Sequence, residues 1–197
     1  MSAVGIVLIV AGALVVIVAL GLIVSYNRFV TQRNLVGESW SQVDVELQRR
    51  HDLIPNLVET VRGYAAHERQ VFDAVTQARA QAEQARVVDG GDRARRADAE
   101  NTLNRAVGRL VAVAESYPQL RANENFLALQ AELVDTEDRI AAGRRFYNGN
   151  VRALNTRIEA VPSNLVANMF KFKQAAYFPL EDPAARAAIK VDFGGTA

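Results

Sequence analysis

An uncharged segment at the start of the chain constrains the fold more than any other feature. Residues 1–27 contain no charged side chain, and residues 3–24 form a run of 22 apolar residues. As a helix with a rise of about 1.5 Å per residue, this run spans about 33 Å and matches a hydrocarbon core about 30 Å thick. It lacks the basic start and the small-residue cleavage site of a signal peptide. We therefore expect residues 1–25 to form a transmembrane anchor rather than a buried core helix.

The basic residues near this segment indicate its orientation. Arg28 and Arg33 follow the apolar run, and no basic side chain precedes it. The single apolar run predicts a single-pass protein of the cell membrane. Lys and Arg are enriched on the cytoplasmic flank of membrane helices, so these arginines predict its orientation. Its N-terminus is expected outside, and the rest of the chain in the cytoplasm.

Small residues recur within the anchor at an interval of seven. Gly5, Gly12 and Ala19 fall on one stripe of the predicted helix. Such stripes allow membrane helices to approach closely, so this one is a candidate packing surface for a second anchor. The general abundance of glycine and alanine in membrane helices is the alternative explanation.

Composition excludes several classes of function. The chain has 197 residues, a formal net charge of +1 and no cysteine. Nucleic-acid-binding proteins usually carry a clear basic excess, so no nucleic acid is expected among the partners. The lack of cysteine excludes disulfides, zinc–thiolate sites and cysteine nucleophiles.

Beyond the anchor, the sequence has the periodicity of α-helices. Apolar residues recur at alternating steps of three and four over residues 36–65, which predicts one long helix. Since no turn signal separates this helix from the anchor, the two are expected to be continuous. Two shorter helices are predicted around residues 71–85 and 99–117, the later one ending at Pro118. The glycine-containing residues 87–93 form the turn between them.

The remaining pattern completes an all-α fold. A fourth helix is predicted to begin near Asn123, a suitable N-cap, and a short last helix, capped by Ser163, to run through Phe172. Residues 26–172 should form an elongated antiparallel up-and-down bundle of four helices plus this short helix. A three-helix bundle, in which the second and third segments form one interrupted helix, is the alternative. Residues 173–197 are expected to be an extended or mobile tail.

Several motifs resemble one known family. Residues 33–68 read RNLVGESWSQVDVELQRRHDLIPNLVETVRGYAAHE and resemble the LemA family, whose members carry a similar run with RRxDLIPNLV and GYxxHE. Three later stretches are similar to later blocks of that family: YPQLRANENFLALQAEL, TEDRIAAGRRFYNGNVRALNT and PSNLVANMFKF. The likeness covers roughly residues 26–178 and leaves out the C-terminal tail. It implies a membrane-anchored helical domain and little about activity, because the family is poorly characterised in function.

Pro55 lies inside the first predicted helix. Its ring removes the hydrogen bond to the carbonyl of His51 and should kink or interrupt the helix there. The freed carbonyl, together with Asp52 and Asn56 one turn apart, is a candidate polar docking point. A static kink that wraps a long helix around its bundle is the alternative.

Three charged residues occupy positions that should face the interior. Arg50 fills the gap in the first seam, and Glu137 and Arg144 lie on the stripe of the fourth helix. Since buried charges must be paired, we expect an Arg–Glu–Arg layer that fixes the register of the helices rather than an active site.

No catalytic residue, metal site or cofactor is predicted. His51 and His67 are sixteen residues apart and lack the spacing of a zinc-protease helix. Ser39, Ser41 and Ser163 have no motif that would activate a nucleophile.

The tail mixes lysines with aromatic residues. Lys171, Lys173, Phe172 and Phe178 have the composition of a surface at the level of lipid headgroups, which makes membrane lipid an expected partner. Aromatic residues that cap the end of the bundle are the alternative.

These patterns favour a membrane-anchored scaffold or adaptor without enzymatic activity. It would self-associate as a homo-oligomer or hold partner proteins at the bilayer. Two alternatives remain open: a signalling or envelope-stress component that transmits a membrane state through the first helix, and an accessory subunit of a membrane protease.

Overall fold

A computed structural model describes residues 3–88 and 92–179. Within these residues the secondary structure is helical and no β-strand is present, which confirms the predicted all-α class. The helices are α1 (Ala3–Arg62), α2 (Arg69–Val88), α3 (Arg93–Glu115), α4 (Pro118–Arg121), α5 (Glu124–Glu159) and α6 (Ser163–Met169).

Helix α1 contains both the apolar run and the first amphipathic segment. It is one helix of 60 residues with Pro55 inside it, so the predicted continuity is confirmed. Its N-terminal part is long and apolar enough to cross a membrane, and its most apolar window contains no buried residue.

The described residues form two compact units. Unit 1 comprises residues 3–49 and 142–177, and unit 2 comprises residues 50–88, 92–141 and 178–179. The long helices α1 and α5 each contribute to both units.

In unit 1, α1 packs against the second half of α5. The predicted seam of α1 is buried here at Val36, Val43 and Leu47. The helices approach closely where Gly143 faces α1, since a Cβ atom built on Gly143 would lie 3.2 Å from Cγ2 of Val43. On the α5 side, the buried residues are Tyr147, Val151 and Leu154.

The C-terminal end of unit 1 folds back through a tight turn. Lys171 has a positive φ of 55°, and the N–H of Phe172 donates to the carbonyl of Ala167 at 2.9 Å. This is the Schellman arrangement that ends many helices, with lysine in the position that usually holds glycine. The turn brings the ring of Phe172 onto that of Phe29, with centroids 4.8 Å apart.

The predicted limits of this last helix are wrong at both ends. The N-cap of α6 is Pro162, and the hydroxyl of Ser163 donates instead to the carbonyls of Arg157 and Ala160 at 2.7 and 2.9 Å. The helix ends at Met169 because the turn begins directly after it.

In unit 2, α2 and α3 pack against each other, so they are separate helices rather than one interrupted helix. The predicted turn between them includes residues 89–91, which lie outside the described residues. Asp92 caps α3 by accepting from the N–H of Arg95 at 3.2 Å. The hydrophobic core comprises Ile54, Leu57, Val58, Val61, Ala65, Phe72, Val75, Ala78, Ala82, Leu103, Ala106, Val107, Leu110, Ala114, Leu120, Phe126 and Leu133.

The connection from α3 to α5 contains a helix that the sequence did not predict. Helix α3 ends at Glu115 rather than at Pro118, and Pro118 instead starts the single turn α4. Proline suits a first helical position because its missing N–H would have no helical partner there. The predicted N-cap at Asn123 is confirmed, since its Oδ1 accepts from the N–H of Phe126 at 3.0 Å.

Residues 173–179 have no regular structure and are held by side chains of α5. Asn155 donates to the carbonyl of Ala175 at 3.0 Å and accepts from its N–H at 2.9 Å. The hydroxyl of Tyr147 donates to the carbonyl of Ala176 at 2.6 Å. Phe178 is fully buried in unit 2, so the prediction of a lipid-facing Phe178 is wrong. Residues 180–197 lie outside the described part of the chain.

Candidate functional site

The most distinctive site in unit 2 is a cluster of charged side chains from four helices. Helix α1 supplies Arg50 and His51, while α2, α3 and α5 each supply a carboxylate. We define the charged cluster as Arg50, His51, Arg79, Glu83, Glu100 and Glu137. Arg50, His51 and Glu100 are fully buried, although a buried charge is costly unless it is paired.

Arg50 is the centre of the charged cluster. Its Nη1 donates to Oε1 of Glu137 at 2.8 Å, and its Nη2 donates to Oε2 of Glu100. Burial favours the neutral guanidine, but the charges of Glu137 and Glu100 outweigh that effect and raise the pKa of Arg50. The ion pair therefore stays charged, and it connects α1 to both α3 and α5.

His51 lies between two carboxylates. Its Nδ1 is 3.3 Å from Oε2 of Glu83, and its Nε2 is 3.2 Å from both carboxylate oxygens of Glu100. A neutral imidazole donates from one nitrogen only, so both contacts are hydrogen bonds when the ring is the imidazolium. In that form His51 joins α1 to α2 and α3.

Both carboxylates beside His51 are held in the ionised form. Burial favours the protonated form of Glu100, but hydrogen bonding from His51 and the charge of Arg50 outweigh it and lower its pKa. The pKa of Glu83 is lowered chiefly by the hydrogen bond from Arg86, against a smaller opposing effect of burial. Nη2 of Arg86 lies 2.6 Å from Oε1 of Glu83.

The carbonyl that Pro55 frees lies beside this cluster. The structure places Nε of Arg79, from α2, 2.9 Å from the carbonyl oxygen of His51. The predicted docking carbonyl thus accepts a hydrogen bond from within the chain, while Asp52 and Asn56 are exposed.

The structure brings together only part of the predicted polar layer. Arg50 and Glu137 are paired, but Arg144 belongs to unit 1, where it is partly buried. The second partner of Arg50 is Glu100, which the sequence reasoning missed. A signal was present, because Glu100 lies three and seven residues before the buried Leu103 and Val107 and so continues their stripe.

The predicted anchor stripe and the predicted tail residues other than Phe178 lie in unit 1. Gly12 and Ala19 are exposed, Gly5 is partly buried, and a Cβ atom on Gly12 would meet nothing within 4 Å. In the tail, Lys171 and Lys173 are exposed, whereas Phe172 is packed against α1.

The chemistry available to the charged cluster is that of paired charges. Arg50 is paired with Glu100 and Glu137, and His51 lies between Glu83 and Glu100, so the cluster can hold four helices in one register. In residues 3–88 and 92–179, no group of three His, Asp or Glu side chains is placed to hold a metal ion.

Comparison with known families identifies the chain. The profile described as the LemA family matches residues 39–193, which is more than half of the sequence and includes the whole charged cluster. The chain belongs to the LemA family. The match continues to residue 193, so it also includes most of the tail that the sequence motifs left out.

Curated relatives agree with this assignment. The magnetosome protein MamQ of Magnetospirillum gryphiswaldense is 29% identical, over 83% of this chain and 67% of its own length. Magnetosome protein MamQ 1 of Paramagnetospirillum magneticum is 30% identical over the same shares. Protein LemA of Metamycoplasma hominis is 24% identical over 77% of this chain and 68% of its own. None of these three names refers to an enzymatic activity.

Proposed function

We propose that this LemA-family chain is a membrane-anchored, non-enzymatic scaffold that self-associates and holds partner proteins at the bilayer. One observation carries the proposal: α1 is a single helix that includes the apolar run and the packed residues of both units. Because the helix is continuous from the apolar run to the packed residues of unit 1, it sets where the bundle begins relative to the membrane, which suits a scaffold.

The charged cluster supports a structural role. Arg50 and His51 lie within hydrogen-bond distance of carboxylates of the same unit. Arg50, His51 and Glu100 are fully buried, and Glu137 is largely buried. Buried ionic groups of this kind are best known as devices that fix register and partner choice. A catalytic group would instead need access to a substrate.

A scaffold also needs a surface for other proteins, and α5 offers one in unit 2. Leu127 and Val134 are exposed two turns apart, and Ala131 lies between them on the same face. Asp135 and Asp138 border this apolar stripe. A helix with basic residues around an apolar face would complement it in both shape and charge.

The mass of the intact protein in nanodiscs tests self-association. We expect a defined oligomer for the full chain and a smaller species for a form that starts at Tyr26. Gly12→Leu should weaken the oligomer, because it places a large side chain on the stripe of small residues. Gly21→Leu is the matched control, since nine residues at 100° each place Gly21 on the opposite face. A single copy in both forms would overturn self-association.

The orientation in the membrane is part of the same proposal. Arg28 and Arg33 follow the apolar run, so we place both units on the cytoplasmic side. A reporter that works only in the cytoplasm should be active when it is fused to the C-terminus. Activity of a periplasmic or extracellular reporter at that position would reverse the orientation.

A further inference from the structure

The C-terminal end of unit 1 is attached to α1 directly beside the end of its apolar run. The ring of Tyr26, two residues after Val24, lies 4.7 Å from that of Phe170 and 5.8 Å from that of Phe172. Phe172 also stacks on Phe29 at 4.8 Å. If the apolar run crosses the membrane, these contacts hold α6 and its terminal turn at the level of the lipid headgroups.

This end of unit 1 presents an apolar face outward. Leu165 and Met169, one turn apart on α6, are 65% and 64% exposed, and Phe170 after them is about half exposed. Two large apolar side chains on a helix of seven residues, with a third directly after it, expose more apolar surface than scattered single residues do. The face lies on the side of α6 away from its buried residues Val166 and Ala167.

Basic residues outnumber acidic ones around this apolar face, where the acidic Glu159 accepts from the side chain of Gln174 at 2.7 Å. Residues 1–37 and 160–179 contain four basic residues and no acidic residue. The four are Arg28, Arg33, Lys171 and Lys173, and all are exposed. An apolar helix face next to a cluster of basic residues is typical of segments that lie in the interface of an anionic membrane.

We infer that α6 and its terminal turn form a second membrane contact, with Leu165, Met169 and Phe170 in the headgroup region of an anionic leaflet. The lysines at 171 and 173 bind lipid phosphates, and the Schellman turn fixes them beside the inserted face. Unit 1 then contacts the bilayer at two points, through the apolar run of α1 and through α6. The second contact restricts rotation of unit 1 about the axis of α1. This contact goes beyond the scaffold proposal and holds whether or not the protein self-associates.

Single-cysteine labelling tests the inference directly, because the chain has no cysteine of its own. Nitroxides are attached to Leu165→Cys and Met169→Cys in the full-length protein, in nanodiscs of phosphatidylcholine and phosphatidylglycerol. Collision with oxygen, which concentrates in lipid, is compared with collision with a water-soluble nickel chelate. We expect a ratio of oxygen to nickel accessibility at both sites that is severalfold higher than at an aqueous control.

Val45→Cys is that control. Val45 is 65% exposed, as Leu165 is, and it belongs to the same unit. It lies 21 residues beyond Val24 on the same helix, about 32 Å along the axis. Equal ratios at Leu165 and Val45 would overturn the inference. Low collision rates with both reagents at Leu165 would also overturn it, since they would mean that protein covers the face.

The charge requirement is tested on the Leu165→Cys background. Lys171→Gly keeps the positive φ accessible while it removes the charge, and it is combined with Lys173→Gln. We expect the accessibility ratio to fall towards that of Val45 and to lose its dependence on phosphatidylglycerol. Arg145→Gln is the control, because Arg145 is exposed near the Gly143–Val43 contact, far along α1 from the apolar run. An equal loss with this control would exclude a specific role for the two lysines.

Discussion

Nε of Arg79 donates at 2.9 Å to the carbonyl of His51, the carbonyl whose helical donor Pro55 has replaced. One turn further along α2, Glu83 contacts the side chain of the same histidine. Two successive turns of α2 therefore bind the backbone and the side chain of one residue of α1. Pro55 interrupts the hydrogen bonds of α1, and the interruption becomes the point at which α2 is attached.

Replacing Arg79 should be costly only while Pro55 is present. Arg79→Met leaves the His51 carbonyl without its donor, so we expect a loss of about 1–3 kcal/mol in the free energy of unfolding. In a Pro55→Ala background the alanine N–H can bond to that carbonyl, and the same substitution should cost less than about 1 kcal/mol. Denaturant unfolding of the full-length protein in detergent micelles, followed by circular dichroism, measures both values. Equal losses of unfolding free energy in the two backgrounds would show that the unpaired His51 carbonyl is not the cause of the loss.

Removing one partner of the buried ion pair should cost far more stability than removing one partner of an exposed pair of the same chemistry. Glu100→Ala leaves Arg50 buried with one partner fewer, so we expect a loss of about 3–5 kcal/mol. Glu137 is 31% exposed and Arg50 keeps Glu100 in its absence, so Glu137→Ala should cost less than Glu100→Ala. Glu59, 78% exposed and 3.9 Å from Arg62, is the control, with an expected cost of at most about 1 kcal/mol.

Helix register gives a second measurement on the same cluster. Glu137→Leu removes one partner of Arg50 without leaving a cavity, so its main effect should be on helix register or on the oligomeric state rather than on a reaction. The mass in nanodiscs and the pattern of amide protection report on these two properties. A Glu137→Leu protein that folds and assembles as the parent does would rule out a register-fixing layer.

Acid should destabilise the protein through Glu100. Its pKa is lowered in the folded state, so its contribution to stability is complete above the ordinary glutamate pKa of about 4.3 and is lost as the pH falls through the lower folded value. The parent protein should therefore lose free energy of unfolding as the pH decreases below about 4.3. Glu100→Gln, which cannot ionise, should lose less over the same interval. Parallel pH profiles for the two proteins would contradict the assignment.

Periodicity predicted much of this fold because most of the packing is apolar and helical. The seam of α1 and the cap at Asn123 follow from patterns that lie within one helix, where sequence spacing equals spatial spacing. The pair between Arg50 and Glu137 could be predicted because the two residues lie at similar distances from the adjacent ends of two antiparallel helices. These are local or nearly local arguments.

The features that were not predicted depend on contacts between separate segments of the chain, which residue spacing within one helix does not reveal. The stripe of α3 places Glu100 in the interior, but spacing within α3 does not show that its partner is Arg50 of α1. Phe178 was assigned to lipid although it is buried. The turn at Lys171 carries a lysine where a glycine would have signalled it. Arg79 has no local feature that distinguishes it, since its role depends on a carbonyl freed in α1.

Two glycines of α5 should respond in opposite ways to alanine. At Gly149 a Cβ atom would meet nothing within 4 Å, so Gly149→Ala should stabilise the protein by about 0.5–1 kcal/mol through the lower entropy of its unfolded chain. At Gly143 a Cβ atom would lie 3.2 Å from Cγ2 of Val43, and the strain should cancel or reverse that gain, leaving Gly143→Ala at least about 1 kcal/mol less favourable. Thermal unfolding of the two variants in micelles compares them within one helix. Equal stabilisation would mean that α1 and α5 can separate at this point without loss, so Gly143 would not be what sets their approach.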